Sequence, residues 1–255
     1  MMSAHSRWIP NQHGAWAMVI LPFVLGWIEA WRAGSSGWAH LTLFGFWLFG
    51  YCAFHAASGW LKSPPTRRNR YVAPLAAYAT VSAFCGVATL SLAGLQLLWW
   101  VPVFLPLVVP ALWLARRRRE RSTTGGLLTV VAAALMLPVA RYLYPQPVDD
   151  WPTVAAIAGL VGGYFFGTVL FVKTNIRERG SRAYLVASLV YHFVLLLVAT
   201  GLAWAKLAAW WWVPVMAFVL VRAVVVPPMK LRPLPLGLIE VCVCLAILLG
   251  SVIDG

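Results

Sequence analysis

Residues 95–121 read LQLLWWVPVFLPLVVPALWLARRRRER. From 95 to 115 there is no charge, and five arginines follow within the next six positions. About 20 apolar residues are what a helix needs to cross a hydrocarbon core about 30 Å thick. The Trp99-Trp100 pair near one end suits a membrane interface, and the arginines at the other end suit the cytoplasmic side. This stretch therefore reads as a spanning helix with a direction.

The same grammar extends both ways along the chain. Eight further runs qualify, at 15–31, 38–61, 71–92, 124–144, 152–172, 183–203, 207–226 and 235–252. The run at 124–144 is the weakest, because Gly125, Gly126 and Pro138 interrupt it. The run at 15–31 is followed by no small-residue cleavage pattern, so it reads as a span rather than a removable signal.

Sorting the basic residues by loop orients all nine spans. Of 20 Lys and Arg, 16 fall on one side: one at the N-terminus, then four, five, four and two in alternate loops. Arg32, Arg141 and Lys206 fall on the other side, and Arg222 lies within a span. Ten of the 15 tryptophans gather opposite the arginines. The expected topology has the N-terminus cytoplasmic and the C-terminus outside, in the cytoplasmic (inner) membrane of a bacterium.

Composition agrees. Of 255 residues, 62% are hydrophobic and 11% charged, against about 45–50% and about 25% in soluble domains. Disorder, a disulfide scaffold and an ordinary soluble enzyme are excluded. The net charge of +13 reports loop placement rather than a nucleic-acid partner. Cys52, Cys85, Cys242 and Cys244 each lie in an apolar run and read as small hydrophobes. The expected fold is all-α: a single integral membrane domain over residues 1–255, with the lipid bilayer as its partner.

Polar side chains recur at helical spacing. The second span carries Tyr51, His55, Ser58 and Lys62, and leads to Arg67, Arg68 and Arg70. The sixth carries Tyr164, Thr168 and Asn175, and leads to Arg177, Glu178, Arg179 and Arg182. The seventh carries Tyr184, Ser188, Tyr191 and His192. Such groups avoid lipid, so they serve either as interhelical hydrogen bonds or as the lining of a wet cavity. As a cavity they would face the cytoplasm, with Asn11 and His13 at its mouth. Arg222 and Glu240, at similar depth on adjacent spans, are expected to form a structural ion pair.

The site chemistry favours anions over metals. No metal-binding spacing of His or Cys occurs. A metal site built from His13, His55 and Glu178 is geometrically possible. Carboxylates are scarce, seven in all, which disfavours a dedicated Mg²⁺ cage of oxygen ligands. Guanidinium groups grip phosphate without a metal. The candidate ligand on this chemistry is a phosphorylated, anionic lipid headgroup.

The segment Pro10-Asn11-Gln12-His13-Gly14-Ala15-Trp16-Ala17-Met18 resembles the signature of the YwiC-like family of bacterial multi-pass membrane proteins. More distantly, the span count, the pattern Leu21-Pro22-Phe23-Val24-Leu25-Gly26 and the run 175–182 resemble the UbiA superfamily of intramembrane prenyltransferases. That resemblance implies a UbiA-like bundle, an isoprenoid or quinone-like ligand and, were the chain an enzyme, prenyl transfer. It also implies an acidic first motif near residues 54–62, where this chain reads FHAASGWLK with no acid. In the second motif Glu178 is the one carboxylate left. No catalytic residue is assigned on this basis. A degenerate prenyltransferase, a small transporter and a structural or assembly subunit are the open alternatives.

Overall fold

The computed structural model describes residues 8–10, 13–120 and 122–254, with His13 described through its backbone alone. Among these residues the regular secondary structure is entirely helical, and nine segments are long and apolar enough to cross a membrane. Polytopic chains take this form because a helix satisfies its own backbone where no water can. The sequence reads as one domain, and the chain folds as two compact units, Met1–Pro147 and Val148–Gly255.

The first unit contains α1 (His13–Arg32), α2 (Ala39–Lys62) and α3 (Pro65–Ala93). A 3₁₀ turn (Leu95–Trp100) leads into α4 (Val101–Arg116), followed by α5 (Thr123–Ala134) and α6 (Met136–Arg141). Its core joins Phe23, Leu43, Met136, Val139, Ala140 and Leu143. Gly26 lets α1 lie directly on α6, since a Cβ there would collide with the Leu137 carbonyl. Small residues at such crossings are how helices associate in lipid, where burial alone gives no driving force.

Aromatic pairs fix the antiparallel register of α1 and α2. Trp27 stacks on His40, Phe23 meets Phe44, and Trp16 meets Tyr51. The Trp47 indole donates to the Val19 carbonyl at 2.9 Å. Continued, this register sets the start of α1 level with Phe54, eight residues or about 12 Å short of Lys62. His40 is wholly buried. Its Nε2–H donates to the Ala140 carbonyl at 3.0 Å, and Gly37 N–H donates to Nδ1 at 3.3 Å.

The second unit contains α7 (Trp151–Ile176), α8 (Arg182–Trp204), α9 (Trp212–Met229) and α10 (Pro233–Ile253). Phe171, Ala223, Val226 and Leu236 pack together in it.

Four boundaries differ from the sequence reading. α3 starts at Pro65 instead of 71, because proline suits the first helical position. Arg67, Arg68 and Arg70 therefore stand on its first turns and not in a loop. The fifth span bends at Leu135, since Pro138 has no N–H for the Ala134 carbonyl. The eighth begins at Trp212 rather than 207, after a turn in which Lys206 is left-handed at φ 58°. It then runs through Pro227 and Pro228 and stops at left-handed Lys230. Cys242, expected to pack as a small hydrophobe, is exposed; all four cysteines are free.

Candidate functional site

The first unit contains a cavity of about 480 Å³. Ligand pockets generally fall between about 300 and 1,000 Å³. One face of α2 supplies Leu43, Phe46, Trp47, Gly50, Tyr51 and Phe54, a spacing of three and four residues. α4 and the turn before it face this stripe with Leu97, Trp100, Val101, Phe104, Leu107, Val108 and Ala111. Ala15, Met18 and Val19 of α1, Gly86, Thr89 and Leu90 of α3, and Leu128, Thr129, Ala132 and Ala133 of α5 complete the wall.

The polar atoms of this wall are mostly engaged. Thr89 donates to the Cys85 carbonyl at 2.7 Å and lies 2.9 Å from the Thr42 hydroxyl. Thr129 donates to the Gly125 carbonyl at 2.6 Å. α4 is the weakest wall: Pro106 and Pro110 remove two helix donors, and only Leu114 and Ala115 of this helix are buried.

Among the described residues, none of those expected to hold a ligand lines this cavity. Tyr51, one turn from His55 in the same stripe, does. His55 is half-buried; Ser58 is buried, with no hydrogen-bond partner for its hydroxyl among the described residues. Lys62 donates to Glu120 at 2.9 Å, and its carbonyl accepts from Arg118 at 3.2 Å. Arg68 lies over the Trp60 ring at 4.6 Å and donates to the Ser63 carbonyl, while Arg67 and Arg70 are exposed. Asn11 and the His13 side chain lie outside the described residues.

The remaining expected residues belong to the second unit. Asn175 is buried in the last turn of α7 and donates to the Phe171 carbonyl at 2.8 Å. Arg179 ties that turn to the α9–α10 connection by donating to the Asn175 and Leu231 carbonyls at 2.8 and 2.9 Å. Arg177 and Arg182 are exposed, and Glu178 is half-buried. Tyr191 donates to the Gly163 carbonyl at 2.9 Å. His192 donates from Nδ1 to the Ser188 carbonyl at 2.6 Å, and its Nε2 sits against Gly167. A Cβ at Gly167 would lie 2.9 Å from that nitrogen.

Deeper in the same unit, Arg222 and Glu240 form an ion pair. Thr168 and Tyr164 donate to Glu240 Oε2 at 2.7 and 2.9 Å, and the guanidinium lies 4.4 Å from the Phe171 ring centroid. Three helices thus supply one buried, nearly dehydrated polar network. Tyr164 and Thr168 were legible in the sequence as a polar stripe. Their common target, Glu240, was not, because it lies more than 70 residues away.

Among the described residues no group of three or more His, Cys, Asp or Glu is placed to hold a metal. The Mg²⁺ set implied by the prenyltransferase resemblance does not fit, since no carboxylate stands in residues 54–62 of α2 and Glu178 has no acidic neighbour in its loop.

Nine candidate spans place the chain in a lipid bilayer, and fold and composition define a polytopic all-α membrane protein. Residues 9–141 match the YwiC-like protein family. The chain is 32% identical to the uncharacterised protein YwiC of Bacillus subtilis (strain 168), covering 78% of this chain and 81% of that one. It is 27% identical to an uncharacterised protein of Haemophilus influenzae, covering 91% and 92%. The chain belongs to the YwiC-like family. No solved structure matches it, and the likeness to prenyltransferases rests on the short sequence matches alone.

Proposed function

We propose that this protein binds a membrane lipid, whose apolar chain occupies the cavity of the first unit. The observation that carries this reading is the cavity itself: about 480 Å³, walled by apolar side chains on helices long enough to span a membrane. Transfer of a chain from bilayer to cavity brings no hydrophobic gain, because both are apolar. The gain comes from dispersion contacts with the walls.

The proline-weakened α4 supplies a wall that can yield to admit a chain from the side. By the positive-inside rule, the Lys62 and Arg116 ends of these helices face the cytoplasm. Binding is the reading; no reaction is assigned, since no carboxylate set stands ready to ionise a diphosphate.

Lipid extraction and mass spectrometry of the purified full chain test it. One lipid class should be enriched over the bulk membrane lipids. A profile identical to the bulk membrane would remove the proposal.

A further inference from the structure

The lipid itself can be narrowed from the polar groups that reach the cavity, an inference that rests on the reading of the first unit as a lipid-binding module. Among the described residues no charged side chain lines the cavity. Of the hydroxyls that do, Thr89 and Thr129 are already bonded within the protein. Tyr51 is the hydroxyl left without a hydrogen-bond partner among the described residues, and its ring is held edge-on by Trp16 at 5.6 Å. The Trp16 indole is itself committed to the Pro10 carbonyl at 3.2 Å.

Two basic side chains toward the end of α2 are already engaged within the protein. Lys62 lies eleven residues further along α2 than Tyr51, about 16 Å, and is paired with Glu120. Arg68 is stacked on Trp60, nine residues along α2 from Tyr51. A phosphate drawn into the cavity would be a dehydrated anion without a counter-charge, which is costly. A neutral carbonyl or hydroxyl needs only one hydrogen bond.

We infer that the first unit takes a neutral, phosphate-free lipid, with its apolar chain in the cavity and a hydrogen-bond-accepting head, such as a quinone carbonyl or an alcohol, at the Tyr51 hydroxyl.

Two probes with the same chain and different heads test this on the purified full chain: a decyl-substituted benzoquinone and decyl phosphate. Binding is read as saturable quenching of tryptophan emission for the quinone, and as displacement of the quinone for the phosphate. The quinone should bind at least tenfold more tightly. Tyr51→Phe keeps the ring against Trp16 and should weaken quinone binding about five- to tenfold, the value of one neutral hydrogen bond, leaving decyl phosphate unchanged. The ratio of the two probes on the unaltered chain needs no variant. Equal or tighter binding of decyl phosphate, or its loss with Arg67→Ala and Arg68→Ala, overturns the neutral head while leaving a lipid site. Quinone binding unmoved by Tyr51→Phe overturns it also. If neither probe binds saturably and no lipid co-purifies, the lipid-binding reading itself fails.

Discussion

The first unit holds a cavity of about 480 Å³ with its charges kept to the helix ends, whereas the second carries an ion pair, Arg222–Glu240, deep among its helices. In the first, α4 is interrupted by prolines and buries only Leu114 and Ala115. In the second, α7 buries Tyr164, Phe165, Thr168, Phe171 and Asn175 along one helix. A buried ion pair with additional donors holds its neighbours in one arrangement, because any shift strands a charge. An apolar cavity with a weak wall does the opposite, since its contents can be exchanged without breaking a polar contact. The family match, residues 9–141, falls within the unit that has the cavity.

The sharpest way to break this contrast is to remove one charge of the second unit. Arg222→Leu or Glu240→Leu should cost about 3–5 kcal/mol, the penalty for a buried charge left alone. Arg222→Met with Glu240→Leu should recover most of that, and the charge swap should recover part. Denaturant titration of the protein in detergent checks all of these. If the single variants match the double, the pair does not organise the unit.

Next in size is Gly167→Val, which drives a side chain into the His192 ring and should cost about 1–3 kcal/mol through overpacking. A mirror experiment in the first unit, Ala132→Phe, adds a larger side chain at the cavity wall. It should change stability by less than about 1 kcal/mol, because there is room to accept it. Equal losses from the two would erase the distinction between a filled unit and an open one. The smallest effect belongs to Lys62→Ala. Its partner is Glu120, the two side chains are 38% and 28% exposed, and such pairs are worth about 0–1 kcal/mol.

Much of the architecture could be read from the amino-acid sequence, for a physical reason. Charge-free runs such as 95–115 leave the backbone no alternative in lipid but helix. Boundaries slipped where proline has two roles: Pro65 opens α3, and Pro227 and Pro228 sit inside α9 rather than ending it. The approach of Arg222 to Glu240 was legible too, since charges in adjacent spans have few other partners.

The cavity was not legible at all. Phe104 and Leu107 face it while Val103 and Leu105 are exposed, yet all four read alike. In a bilayer, hydrophobicity does not separate a cavity-facing side chain from a lipid-facing one. The basic stripes do not by themselves mark a ligand site, for a related reason. Arginines at helix ends obey topology whether or not a ligand lies near, and Arg68 and Arg179 spend their donors on the protein's own carbonyls.

Native mass spectrometry of the full chain, compared with its Ala111→Phe, Ala132→Phe double variant, tests the central claim most directly. Both alanines line the cavity. The unaltered chain should retain one lipid adduct of defined mass, and the double variant should lose it while unfolding at a similar temperature. The same adduct at the same occupancy in both would contradict the account, because the lipid would then lie somewhere other than the cavity.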